Sequence, residues 1–137
     1  MPDVTLLDES AYRGLGWPVH IQGDQLVLPL GRSATAVIIP VALAEAIDPI
    51  LTARDRPAPS LTHPDAPGCR VFVVGEPFGA LLPWPTSVQV VSGVLALPPS
   101  RTPRGPVRWY RQAPAHRLTN CREIDLFAAV RTAGETG

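Results

Sequence analysis

The residues with the clearest chemical potential lie in one stretch that has no carboxylates. From Pro77 to Arg122 the chain contains no Asp or Glu, yet it carries six of the twelve arginines, and the chain has no lysine. Trp109 and Tyr110 are interleaved with these arginines. Guanidinium groups bind phosphates and aromatic rings stack on bases, so this composition is typical of a groove for single-stranded nucleic acid or a nucleotide. The candidate binding residues are Arg101, Arg104, Arg108, Trp109, Tyr110, Arg111 and Arg117.

The charge balance of the whole chain leaves other roles open for these arginines. The formal net charge is +0 at pH 7, whereas dedicated nucleic-acid binders are strongly basic. The arginines can instead form ion pairs across the fold, face solvent or meet an acidic protein partner. Their possible intramolecular partners are Asp48, Asp55, Asp65 and Glu123.

Cys121 and Ser100 are the side chains to weigh as nucleophiles. Cys121 lies between Arg117 and Arg122, and nearby cations can lower the pKa of a thiol and activate it. A small buried residue at the start of a helix is the favoured interpretation, and an enzyme of unrelated type that uses Cys121 stays an alternative. Ser100 follows two prolines and lacks a Gly-x-Ser-x-Gly pattern, so we predict a turn residue.

The histidines and cysteines are not spaced as metal ligands. No carboxylate or cysteine stands at a helical or hairpin spacing that would make His20, His63 or His116 a metal ligand. Cys69 and Cys121 are far apart and are expected to be two reduced, packed thiols. We therefore expect no metal and no cofactor.

Length and composition indicate one folded domain. The chain has 137 residues, of which 45% are hydrophobic and 18% charged, which supplies ample apolar surface for a single core. We expect that domain over residues 1–133, followed by a frayed tail at 134–137. No run approaches the roughly 20 apolar residues of a membrane span, and the acidic N-terminus does not resemble a signal peptide. A cytoplasmic protein without membrane contact is expected.

The first half of the chain predicts two helices and three strands. Leu6–Leu15 has the pattern of a short helix that ends at glycine. A tight hairpin is predicted around Gly23 and Asp24, with strands at Trp17–Gln22 and Gln25–Leu30. A third strand is predicted at Thr35–Ile39. Val41–Ala53 has the helical period, with Pro49 expected to kink it or to start a second turn.

The second half predicts further strands and a final helix. Arg54–Gly68 is dense in proline and is expected to be a surface loop, followed by a strand at Cys69–Val74. Ser87–Leu97 is a second β-rich run, and Gly93 within it indicates a bend. Arg122–Ala133 predicts a helix capped by Thr119 or Asn120 that buries Ile124, Phe127 and Val130. The expected fold is α+β, with a mostly antiparallel sheet of five or six strands and two or three helices.

The order of several short motifs resembles a known family. The matching pieces are LGWPV at Leu15–Val19, LPLGR at Leu28–Arg32 with Val37–Pro40 behind it, Phe72–Val74, Gly93–Ser100 and Pro103–Tyr110. In this order they resemble the N-terminal domain of bifunctional DNA primase-polymerases, in a truncated and diverged form of actinobacterial type. The resemblance implies a primase-polymerase-like fold.

The same resemblance implies that polymerase chemistry has been lost. Active members hold divalent metal ions with two carboxylates on one strand, a histidine on a second and an aspartate on a third. The carboxylate pair would fall within Ser33–Ile39, which reads SATAVII, and the histidine near Cys69–Val74, which has none. The implied role is that of a catalytically inactive accessory or regulatory domain, not an enzyme. We expect it to bind an unidentified protein partner or itself, since the mostly apolar run Ser87–Leu97 and a stiff Pro-rich rim predict a preorganised surface.

Overall fold

The computed structural model describes residues 9–110, 114 and 117–136. Within them the fold is α+β with antiparallel strand pairing throughout, as the sequence predicts. The helices are α1 (Glu9–Gly14), α2 (Val41–Ala53), α3 (Glu123–Thr136) and a 3-10 turn at Leu118–Asn120. The strands are β1 (His20–Gln22), β2 (Gln25–Pro29), β3 (Thr35–Pro40), β4 (Ser60–Thr62), β5 (Cys69–Val74), β6 (Gln89–Val91), β7 (Val94–Leu97), β8 (Arg101–Thr102), β9 (Gly105–Pro106) and β10 (Arg108–Trp109). None of the described helices is long and apolar enough to cross a membrane.

The fold has three layers, with a five-stranded sheet in the middle. Its strand order is β10–β4–β5–β3–β6. Helices α2 and α3 cover one face, and a three-stranded sheet with the order β1–β2–β7 packs on the other. The short hairpin β8–β9 lies apart from both sheets.

Burial of the central strands on both faces explains why they are apolar along their whole length. Successive side chains of a strand point to opposite faces. On one face Val37 and Phe72 pack against the helices, while on the other Ala36 and Val73 pack against the small sheet. All four are at most 1% exposed. Continuous apolar runs such as TAVII and CRVFVV are therefore required here, and the alternating pattern of a half-exposed strand does not suffice.

The strongest sequence patterns produced the elements they predict. Helix α2 and strand β5 have the predicted bounds, and α2 continues through Pro49. β1 and β2 form the predicted hairpin, with Gly23 at a φ of 65° in its turn. Gly93 has a φ of 92°, a conformation that glycine adopts without strain, and it marks the predicted bend.

Tertiary context changed three other predictions. The Pro-rich stretch 54–68 is not all loop, because Ser60–Thr62 forms β4 between β5 and β10. The run Ser87–Leu97 is two strands, since the bend at Gly93 sends β6 to the central sheet and β7 to the small sheet. Including three strands of only two residues each, these divisions give ten strands over the described residues, where five or six were expected.

Helix α3 begins and ends differently from the predicted helix. Thr119 and Asn120 belong to the 3-10 turn, and the α3 start is instead stabilised by Asp125, whose carboxylate accepts a hydrogen bond of 3.0 Å from the Arg122 N–H. Burial by itself would raise the Asp125 pKa, but hydrogen bonds from Arg122 and the charges of Arg122 and Arg56 hold it below its usual value. The helix runs past Ala133 to Thr136, and Gly137 lies outside the described residues.

Helix α3 packs on the sheet through Leu126, Ala129 and Val130, and on the loop 75–88 through Phe127. Phe127 is 6% exposed, and its ring meets that of Trp84 edge-to-face with 5.1 Å between centroids. Leu126 and Val130 are buried with it, whereas Ile124 is only half-buried.

We predict that Phe127→Ala lowers the free energy of unfolding by about 3–5 kcal/mol, because it removes a buried ring and leaves a cavity. Denaturant unfolding followed by circular dichroism measures this loss. Phe78→Ala is the matched control, since Phe78 is 51% exposed, and it should change the free energy by less than about 1 kcal/mol. Equal stability of both variants would contradict the packing described for α3.

Candidate functional site

Trp109 faces inward. Its indole Nε1 donates a hydrogen bond of 2.8 Å to the Tyr12 hydroxyl, which in turn donates one of 2.7 Å to the Pro98 carbonyl. The Trp109 ring also lies at 90° to that of Trp17, with 5.8 Å between centroids. Burial raises the pKa of Tyr12 well above its usual value, against the opposing effect of the Trp109 hydrogen bond. This aromatic cluster fastens β10 to α1, so Trp109 is not a free stacking surface for a base.

The Tyr110 ring packs on the guanidinium of Arg70, a residue that the sequence did not indicate as a site residue. The Arg70 guanidinium lies 4.1 Å from the Tyr110 ring centroid and 5.3 Å from that of Phe72. It is 1% exposed and donates a hydrogen bond of 2.6 Å to the Asp48 carboxylate. Arg70 Nε and Nη1 have no hydrogen-bond partner among the described residues. A single cation within the apolar run CRVFVV was the available signal, because a buried charge requires a partner.

The remaining candidate arginines are exposed. Arg101 and Arg104 lie on the β8–β9 hairpin, and Arg108 lies on β10. Arg104 Nε is 3.7 Å from the Asp65 carboxylate, and because both side chains are more than half exposed, this pair contributes little to stability. Arg117 is exposed beside Gly16, and Arg111 lies outside the described residues. The structure therefore separates the exposed cations from the inward-facing aromatic rings.

The surroundings of Cys121 do not activate its thiol. It is 2% exposed, and burial together with the negative charge of Asp125 raises its pKa to about 12, although the charges of Arg56 and Arg122 oppose this. The neighbouring arginines do not lower the pKa of this thiol below its usual value, because desolvation of the thiolate outweighs their attraction. The favoured interpretation, a small buried residue just before a helix, is confirmed.

The other polar candidates have structural partners. The Ser100 hydroxyl accepts a hydrogen bond of 2.8 Å from the Leu26 N–H and donates one of 3.1 Å to the Leu26 carbonyl, which joins the turn after β7 to β2. His63 Nδ1 accepts a hydrogen bond from the Asp65 N–H. Over residues 9–110, 114 and 117–136 there is no group of three or more His, Cys, Asp or Glu side chains that could hold a metal ion.

A second group of exposed side chains, which the arginine pattern does not indicate, lies on β6 and on the loop that leads into it. Three apolar side chains are exposed there: Phe78 at 51%, Leu81 at 101% and Val90 at 42%. Phe78 and Leu81 lie in the loop 75–88 that leads from β5 into β6. We call these three residues, together with the backbone of Val90, the β6 surface.

The loop that carries this surface is held at both ends. The Phe78 N–H donates a hydrogen bond of 2.8 Å to the carboxylate of Glu123, the first residue of α3. Further along, Trp84 packs on Phe127 of the same helix. The Gly75 N–H donates a hydrogen bond of 2.7 Å to the Cys121 carbonyl. The exposed side chains between these anchors are thus presented by an ordered loop.

Hydrogen bonding across the central sheet determines which way each backbone group of β6 points. In an antiparallel strand the N–H and C=O of successive residues face opposite neighbours. The Val73 N–H donates to the Pro59 carbonyl on the β4 side, so the backbone groups of the adjacent Phe72 face β3. Val37, the partner of Phe72, therefore bonds to β5.

The same alternation continues from β3 into β6. Ala36 and Ile38, on either side of Val37, bond to β6, where their partners are Val91 and Gln89. The N–H and C=O of Val90, between these two, face away from β3. No strand among the described residues pairs with that outer edge.

Comparisons with protein-family models, curated proteins and solved structures find no match to this chain. The primase-polymerase resemblance therefore stays a prediction. Strand β3 holds the position at which the resemblance places the carboxylate pair, and its six residues offer one side-chain oxygen, the buried hydroxyl of Thr35.

We predict that the Cys121 thiol resists alkylation in the folded protein from pH 6 to pH 9. A thiol with a pKa of about 12 stays protonated in that range, and iodoacetamide requires the thiolate. Peptide mass spectrometry after timed labelling measures the rate, and the urea-unfolded protein is the control, because its thiol has a pKa of about 8.5. Labelling of folded Cys121 at the unfolded rate would revive the nucleophile alternative.

We predict that Trp109→Ala lowers the free energy of unfolding by about 2–3 kcal/mol, because it opens the aromatic cluster and leaves the Tyr12 hydroxyl without its donor. The variant in which Arg101, Arg104 and Arg108 are all Gln should unfold like the unmodified chain, since these side chains are exposed. Thermal and denaturant unfolding compare the two. A Trp109→Ala protein of unchanged stability that loses oligonucleotide affinity would instead make Trp109 a stacking residue.

Proposed function

We propose that this protein acts by binding and not by turnover, and that the β6 surface binds an extended, apolar and uncharged segment of protein. The observation that carries the proposal is the outward-facing backbone of Val90, together with the exposed apolar side chains of β6 and of the loop that leads into it. An unpaired sheet edge offers hydrogen bonds to a further strand, and nearby apolar side chains supply the affinity and choose the sequence bound. Such a role agrees with the accessory function that the primase-polymerase resemblance predicts.

The composition of the β6 edge supports this assignment. Natural proteins protect free sheet edges with charged side chains, proline or bulges. Ser87–Leu97 contains no charged residue and no proline. The short length of β6, three residues, is the protection that remains, and an edge without charge or proline is open to pairing with a further strand.

The partner's chemistry follows from the same residues. Leu81 and Phe78 require apolar contacts, so the bound segment should carry apolar side chains. The lack of charged residues in Ser87–Leu97 means that a charged segment would lose hydration without gaining an ion pair from that strand. Because the loop 75–88 is already anchored to α3, little ordering entropy is lost on binding.

Nucleic-acid binding is a second candidate that rests on the exposed arginines alone. Arg101, Arg104 and Arg108 are accessible for phosphates. Trp109 and Tyr110 are held by Tyr12 and Arg70, so they do not supply the stacking energy that single-strand binders use. A salt titration with a labelled oligonucleotide tests this candidate, since phosphate contacts require affinity to fall steeply with salt.

We predict that a photo-crosslinking amino acid at Leu81 captures a discrete protein in cells that express the chain. Benzoylphenylalanine replaces Leu81 in one variant and Ala46, exposed on α2, in the control. Gel shifts and mass spectrometry of the adducts identify both the partner and its crosslinked peptide. The expected peptide is apolar and is captured from position 81 only. Equal adducts from both positions, or none from Leu81, would contradict the proposed function.

A further inference from the structure

We propose that the segment bound at the β6 surface is β6 of a second copy of this chain. The inference rests on the proposed function and names its partner. Two copies of β6 would pair antiparallel about a two-fold axis beside Val90. The two five-stranded sheets would then form one continuous sheet of ten strands.

The direction of the Val90 backbone fits this symmetry. Val90 is the middle residue of a three-residue strand, and both its N–H and its C=O face outward. In a symmetric antiparallel pair the residue on the axis faces its own copy, so the two Val90 residues would exchange N–H to C=O hydrogen bonds. Gln89 would then lie opposite Val91 of the second copy.

The charge pattern of the sheet edges favours β6 over the others. The opposite edge of the central sheet, β10, carries the exposed Arg108. The middle residue of β1, Ile21, lines one shallow cavity with Glu9 and Asp24, and these carboxylates would repel their own copies in a symmetric contact. β7 is also uncharged, but Leu95 and Leu97 are buried, and Val94 at its first position is its one exposed residue. In β6 no charge opposes its own copy, and the net charge of +0 adds no repulsion between whole chains.

The apolar side chains of the β6 surface lie where they can add to this contact. By register Val90 is on the same face of the sheet as Val37, which packs against the helices. The loop bearing Phe78 and Leu81 is attached to α3 on that same side. Symmetric pairing would bring both copies of this loop to the helix-covered side of the shared sheet, where their burial adds to the few backbone hydrogen bonds.

Replacing Val90 with residues of opposite charge tests the two-fold axis. Val90→Lys and Val90→Glu each place like charges opposite one another in a symmetric pair, and each should weaken self-association by about tenfold or more. An equimolar mixture of the two variants places opposite charges together and should restore association. Sedimentation equilibrium over a range of concentrations measures all three, and circular dichroism verifies that each variant is folded.

Ile21→Lys is the matched control, since Ile21 is the exposed middle residue of the other three-residue edge strand. It should leave association unchanged. Loss of the dimer in Ile21→Lys but not in Val90→Lys would overturn the assignment to β6, as would a failure of the mixed variants to associate. A wild-type chain that stays monomeric at every concentration also overturns self-pairing, but it leaves the proposed function intact if Leu81 crosslinks to a different protein. Absence of any specific crosslink from position 81 would contradict both the proposed function and the self-pairing of β6.

Discussion

Burial of β3 and β5 on both faces is the constraint on which the rest of the structure depends. Two central strands whose side chains are nearly all apolar need a layer on each side, which α2 with α3 and the small sheet provide. The one charged residue in β5, Arg70, imposes its own requirements. Asp48 of α2 neutralises it and Tyr110 covers it, so a single cation links a helix to the segment after β10.

Local patterns predicted the elements that depend on local sequence, and long-range contacts decided the remainder. The apolar spacing of α2 and the β-branched run of β5 are sufficient to place both. β4 could not be found, because Ser60–Thr62 forms a strand only through its neighbours β5 and β10. Likewise Trp109 reads as a stacking residue until its partner Tyr12, 97 residues away, is known. The desolvation that raises the Cys121 pKa is also a property of the assembled core.

The layers that bury β3 and β5 leave the edge strand β6 partly exposed. β6 joins β3 by only three residues before Gly93 sends the chain to the other sheet. Val88 is still buried beneath Trp84, but two residues later Val90 is 42% exposed. The edge strand β10 carries an exposed arginine, and carboxylates lie beside the edge strand β1, whereas β6 carries no charged residue. The binding function proposed for this protein therefore depends on β6, the strand at one edge of the central sheet.

Residue-resolved amide hydrogen exchange tests the central claim, the free outer edge of β6, most directly. In dilute solution the Val90 amide should exchange rapidly, while those of Gln89 and Val91, bonded to β3, are protected. As the protein concentration rises, protection should appear at Val90 and leave its two neighbours unchanged. A Val90 amide protected equally at all concentrations would show that the edge is already occupied within one chain, and this would contradict the account.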